Sequence, residues 1–101
     1  MLLLPQLFAL VVLAVAHLFD YTSFLVMFAR HGLGAEANPV VVLLFDAGGL
    51  SVLALVKILA VGAAALLMLV VATRHKRLAL VMLLFGICAG MIGGMSNIAT
   101  L

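Results

Sequence analysis

Three long apolar runs dominate this sequence and restrict it to folds that a lipid bilayer can hold. The runs cover about residues 5–29, 50–73 and 78–97. Each matches the roughly 20 residues that a helix needs to cross the hydrocarbon core. Of the 101 residues, 69% are hydrophobic and 8% are charged, whereas a soluble domain is about 45–50% apolar and about 25% charged. The sequence predicts one all-α integral membrane domain over residues 1–101, with three transmembrane helices.

The segment between the first two runs predicts a loop followed by a short helix. Residues 30–38 contain two glycines and several titratable groups. Asn38 followed by Pro39 is typical of an N-cap and a proline in the first helical turn. The apolar stretch after Pro39 stops at Asp46 and is too short to span. We therefore predict an interfacial or re-entrant helix over residues 39–46.

The basic cluster between the second and third runs predicts the orientation of the chain. Arg74, Lys76 and Arg77 lie in four consecutive residues, and the positive-inside rule places such a loop in the cytoplasm. The N-terminus is then cytoplasmic and the C-terminus outside, in a multi-pass protein of the cytoplasmic (inner) membrane. Arg30, on the outer side, opposes this assignment weakly. The cluster is too short and isolated to indicate nucleic-acid binding.

The sequence Ala14-Val15-Ala16 resembles a signal-peptidase site, which would make the first run a cleaved signal. No basic segment precedes it, and the apolar run continues through Phe28. We therefore expect a retained helix.

Asp20 and Lys57 are ionisable residues inside the first and second runs. A charge at the centre of a bilayer costs roughly 2.5–3.5 kcal/mol on insertion scales. Counted at 1.5 Å per residue, Asp20 lies about 13 Å and Lys57 about 11 Å from the outer ends of their helices. The matching depths predict an ion pair. The alternative is that Lys57 snorkels outward while Asp20 is protonated.

Further polar residues fall in the same outer half of the predicted bundle. His17 precedes Asp20 by three residues, which favours a hydrogen-bonded histidine, because too few other ligands lie at that depth for a metal site. We predict no metal and no cofactor. The predicted polar cluster, which serves as an ion pair or a ligand site, comprises Asp20, Lys57, Glu36, Asn38, His17, Thr22 and Asn97.

The third run carries closely spaced glycines that predict a helix-packing face. Gly86, Gly90 and Gly94 follow a four-residue spacing, with Gly93 beside them. Small residues at this spacing let transmembrane helices approach closely. The spacing does not decide between packing within the chain and packing between chains.

The order Asp20, Thr22, then Gly34-Ala35-Glu36-Ala37-Asn38-Pro39, then Lys57 resembles a family of small prokaryotic integral membrane proteins of unknown function. The resemblance covers roughly residues 15–72. It implies a helical membrane fold and supplies no activity. It also suggests that Asp20, Glu36, Asn38 and Lys57 act as one unit.

The sequence contains no nucleophile elbow, zinc-protease motif or phosphate-binding loop, so we do not expect an enzyme. We expect a structural or accessory component whose partners are the lipid bilayer and either further copies of itself or a larger membrane complex. The alternative is an ion- or proton-coupled transport or channel subunit that uses Asp20 and Lys57.

Overall fold

A computed structural model describes residues 4–32, 34, 36 and 38–101 as an all-helical chain. The helices are α1 (Leu4–His31), α2 (Pro39–Ala72) and α3 (Lys76–Ala99), and these described residues contain no strand. Each helix is long and apolar enough to cross a membrane. The prediction of an all-α chain with three spanning-length helices is confirmed. The short helix predicted over residues 39–46 is not shown as a separate element, because this segment is the first part of α2.

Helix α2 begins where the sequence predicts and is interrupted about a third of the way along, at Gly49. The side chain of Asn38 caps it by accepting a hydrogen bond from the backbone N–H of Val40 at 3.0 Å, and Pro39 follows in the first turn. Gly49 has φ 73° and ψ −157°, a conformation that essentially only glycine adopts. A straight helix of 34 residues would be about 51 Å long, which exceeds the 44 Å longest dimension of the chain. The break at Gly49 therefore bends α2.

The hydrogen bonds between α1 and α3 show that these two helices run parallel. His17 contacts Gly86 near the middle of α1, Ser23 contacts Asn97 one to two turns later, and His31 contacts Leu101 at the end. Residue numbers therefore increase together along both helices. Helix α2 runs in the opposite direction, so the start of α2 and the end of α3 lie at one end of the bundle. The turn between α2 and α3 lies at the other.

The first part of α2 packs against the end of α1. The buried core consists of Phe24, Met27 and Leu53. The rings of Phe28 and Phe45 lie against this core with their centroids 5.1 Å apart. Residues 39–48 are therefore held on the bundle by aromatic and aliphatic contacts, on the side of the bundle where the loop lies.

Candidate functional site

Asp20 of α1 contacts polar side chains from both of the other helices. The ammonium Nζ of Lys57 in α2 donates a hydrogen bond to the carboxylate Oδ2 of Asp20. The amide Nδ2 of Asn97 in α3 lies 3.0 Å from the backbone oxygen of Asp20 and 3.3 Å from its carboxylate Oδ1. The side chains of Lys57 and Asp20 are 26% and 25% exposed, so neither is sealed inside the protein.

Ser23 completes this group, which we call the Asp20 cluster (Asp20, Ser23, Lys57 and Asn97). Its hydroxyl donates to the backbone oxygen of Asp20 at 2.9 Å and accepts from Asn97 Nδ2 at 3.1 Å. Ser23 and Asn97 are the buried members, with 8% and 5% exposure. Buried polar groups are stable when they bond to one another, and this mutual arrangement provides those bonds.

Thr22 does not join the Asp20 cluster, although the sequence placed it there. Its side chain is exposed, and its hydroxyl bonds to the backbone oxygen of Leu18 in its own helix at 2.8 Å. The physical reason is helical periodicity, because residues two apart point to different sides of a helix. Ser23 stands three residues after Asp20 and so shares its face. This spacing is the signal that would have selected Ser23 instead.

The four glycines of α3 face α1 within the same chain. A Cβ atom at Gly90 would come within 2.8 Å of the backbone carbon of Ala16, and one at Gly93 would come within 2.5 Å of the carboxylate of Asp20. Gly86 and Gly94 leave similarly little room, against Leu13 and Phe19. A side chain at Gly90 would push the backbones of α3 and α1 apart, and one at the other three positions would displace a side chain of α1. The glycines therefore let Asn97 reach Asp20.

His17 bonds to α3. Its Nε2 lies 2.8 Å from the backbone oxygen of Gly86. Since a carbonyl oxygen only accepts, Nε2 donates the hydrogen of this bond. Nδ1 is buried and has no hydrogen-bond partner among the described residues, which costs about 1–3 kcal/mol. The histidine acts as a link between helices.

Glu36 and Asn38 organise the start of α2. The carboxylate Oε1 of Glu36 accepts a hydrogen bond from the backbone N–H of Asn38 at 2.9 Å, while Asn38 caps the helix with its side chain. Both residues also line the cavity described next. Glu36 and Asn38 therefore lie at the mouth of the bundle, beside the Asp20 cluster.

A cavity of about 460 Å³ lies between the three helices, and Glu36 and Asn38 also line it. Phe24, Val41 and Leu53 contribute apolar wall. The cavity brings together eight polar residues: His17, Asp20, Tyr21, Glu36, Asn38, Lys57, Ser96 and Asn97. Tyr21 and Ser96 were not predicted as site residues. Tyr21 stands four residues after His17, and Ser96 stands three after Gly93, so helical spacing from those positions would have found both.

A second cavity of about 530 Å³ lies between α1 and α2 and is almost entirely apolar. Ala14, Leu18, Ile58 and Val61 are among its lining residues. It shares His17, Tyr21 and Lys57 with the first cavity. The two cavities therefore differ in character although they share part of their walls.

The basic residues predicted to set the orientation lie in and beside the turn between α2 and α3. Arg74, Lys76 and Arg77 are all exposed. This turn lies at the opposite end of the bundle from Glu36 and Asn38. The charges of the chain are thus divided between an end with a basic surface and an end with a mixed polar cavity.

Within the part of the chain that the structure describes, no three His, Cys, Asp or Glu side chains are grouped so that they would hold a metal ion. Comparison of the chain with protein-family models, with curated proteins and with solved structures gives no significant match.

Proposed function

We propose that this chain is a structural or accessory component of the cytoplasmic membrane, and that the Asp20 cluster fixes the arrangement of its three helices. The observation that carries the proposal is that Asp20 bonds to Lys57 of α2 and to Asn97 of α3. One residue of α1 thereby specifies the positions of both neighbours. Helices in a bilayer lack a hydrophobic force that draws them together, so polar links and close packing determine their association.

Asp20 and Lys57 act as an ion pair in this proposal. An unpaired charge at membrane depth costs several kcal/mol, and the proposal is supported by the contact between the Lys57 ammonium and the Asp20 carboxylate. Asn97 supports the pair by donating to the other carboxylate oxygen. The pair carries no net charge, so it can stay at this depth where either residue alone would be costly.

The proposed orientation puts the basic turn in the cytoplasm and the cavity on the outer side. Its support is the concentration of Arg74, Lys76 and Arg77 at one end of the bundle. Residues 39–48 then form a half-helix that lies in the outer leaflet and ends at the bend at Gly49. The pattern of Asp20, Glu36, Asn38 and Lys57 also supports membership of the small membrane-protein family that it resembles.

A double-mutant cycle tests the proposed ion pair. In lipid nanodiscs, Asp20→Asn and Lys57→Met are each expected to lower the free energy of unfolding by roughly 3 kcal/mol, because each leaves its partner uncompensated. The double variant is expected to lose clearly less than the sum of the two. Additive losses would show that the two residues are not coupled and would overturn the proposal.

Photo-crosslinking in native membranes tests the accessory role. Leu59 and Phe85 are exposed positions on α2 and α3, while Phe24 is buried and serves as the control. A crosslinker at an exposed position is expected to give an adduct with a second copy or with one defined foreign protein. Adducts with lipid alone at both exposed positions would contradict an accessory role.

The alternative function is ion- or proton-coupled transport, which an intramembrane Asp beside a Lys would suit. Proteoliposomes that contain the wild-type chain or Asp20→Asn are compared in a pH-flux assay. If the chain is structural, neither will exceed the flux of empty liposomes. Flux that depends on Asp20 would replace the structural proposal by the transport function.

A further inference from the structure

The charged side chains that line the polar cavity sum to a net charge of −1. Asp20 and Glu36 supply carboxylates to its lining, and Lys57 supplies the cation. The ammonium of Lys57 lies on Asp20. Glu36 instead accepts a hydrogen bond from the neutral backbone N–H of Asn38. The carboxylate of Glu36 is therefore left without a counter-charge among the residues that line the cavity.

The size and chemistry of the cavity select the kind of cation that would balance this charge. Its volume of about 460 Å³ is many times the roughly 30 Å³ of one water and falls in the range of small-molecule pockets. Oxygen atoms of Tyr21, Ser96 and Glu36 can accept hydrogen bonds, and an ammonium group offers three donors and no acceptor. The aromatic rings of Tyr21 and Phe24 add faces that attract cations.

We propose that this cavity binds a small organic cation with a primary ammonium group, which pairs with Glu36. The inference rests on the proposed function in one respect, because the Asp20–Lys57 pair is what leaves Glu36 as the excess charge. Partial removal from water strengthens the attraction between such a pair. A ligand held here contacts α1, α3 and the loop that begins α2, and it therefore stabilises the folded chain as it binds.

Calorimetric titration of the purified chain in nanodiscs tests the proposal, with n-propylammonium as the probe. Propanol and propionate have similar size but carry no charge or the opposite charge. Tetramethylammonium is a cation without N–H donors. We expect saturable binding of n-propylammonium, at least about tenfold tighter than that of any of the other three. Equal binding of propanol, or no saturable binding at all, would overturn the proposal.

Two variants place the binding at this cavity. Glu36→Gln keeps the oxygen that accepts from Asn38 and removes the charge, so it is expected to weaken binding by about tenfold or more. Asp46→Asn makes the same charge change at an exposed position outside the cavity lining and is the matched control. Equal weakening by both variants would show non-specific attraction and would contradict the proposed site.

Ala89→Leu provides a test without any change of charge, because this residue lines the cavity from α3. The larger side chain takes up part of the cavity and is expected to weaken binding of n-propylammonium. Unaltered binding in this variant would contradict a site beside Ala89. The proposed Asp20–Lys57 ion pair is tested separately, by the unfolding free energies of the double-mutant cycle. Each proposal can therefore be contradicted without the other.

Discussion

Helices α2 and α3 are attached to α1 by different means. Along α3, glycines bring the two backbones together, so that a single Cβ at Gly90 would meet the backbone of Ala16. Along α2, contact is made by side chains, through the core of Phe24, Met27 and Leu53 and through the hydrogen bond between Lys57 and Asp20. Few backbone positions of α1 and α2 approach each other closely.

This difference separates a rigid pair of helices from a helix that is held at particular points. Backbone packing tolerates no added atom, because neither side can move away without separating the helices. Side-chain packing can adjust through rotamers, and α2 itself bends at Gly49. We therefore regard α1 and α3 as the fixed frame of the molecule. Helix α2 also packs along α3, and its contact with α1 depends on side chains, the Asp20 cluster among them.

Among the variants that test this comparison of the helices, the largest effect is expected from a change in the fixed frame. Gly90→Ala places a Cβ against the backbone of Ala16, and overpacking of this kind costs about 1–3 kcal/mol. We expect a loss of about 2 kcal/mol in the free energy of unfolding in nanodiscs. Gly62→Ala is the matched control, since a Cβ there meets nothing within 4 Å. Similar losses in both variants would indicate a general intolerance of alanine and would remove the distinction between the helices.

A smaller effect is expected at the bend of α2. Gly49→Ala forces alanine into a positive-φ conformation, which costs about 1–2 kcal/mol. The variant is expected to lose about 1.5 kcal/mol. Spin labels at Leu43 and Val26, both exposed, would report the accompanying shift of residues 39–48 relative to α1. Unchanged distances together with unchanged stability would show that the bend does not determine the position of this segment.

The smallest effect is expected from the polar link between α1 and α3. Asn97→Leu removes the donor to Asp20 and Ser23, and interhelical hydrogen bonds in membranes average about 0.6 kcal/mol with a maximum near 1.7. We expect a loss of about 1 kcal/mol. Thr22→Val is the control, because Thr22 bonds within its own helix, and it should change stability by less than about 0.5 kcal/mol. A loss at Thr22 equal to that at Asn97 would contradict the membership assigned to the Asp20 cluster.

Helix positions were predictable from the sequence, because they depend on local properties. Apolar length and the basic turn marked the three helices, and Asn38 with Pro39 marked the start of α2. The predicted short helix stops at Asp46, three residues before Gly49, where α2 bends. What the pattern did not reveal is that the segments on both sides of Gly49 form one bent helix.

The candidate site was predictable in its residue types and less so in its membership. The depth argument placed Asp20 and Lys57 at the same level, and the structure puts them in hydrogen-bond contact. Thr22 and Ser23 are both small hydroxyl residues, and only their spacing from Asp20 distinguishes them. Which helix faces meet to enclose Tyr21 and Ser96 depends on how the three helices are rotated together.

The sequence by itself determined that the chain forms three apolar helices, with a basic turn at one end and ionisable residues in two of the helices. Hydropathy, helix capping and charge are properties of short segments, so they can be read without a fold. Only the tertiary structure decided that the glycines of α3 pack on α1 of the same chain, and that Asp20 contacts both Lys57 and Asn97. These contacts depend on the rotation and the relative height of each helix, which residues far apart in the sequence fix together.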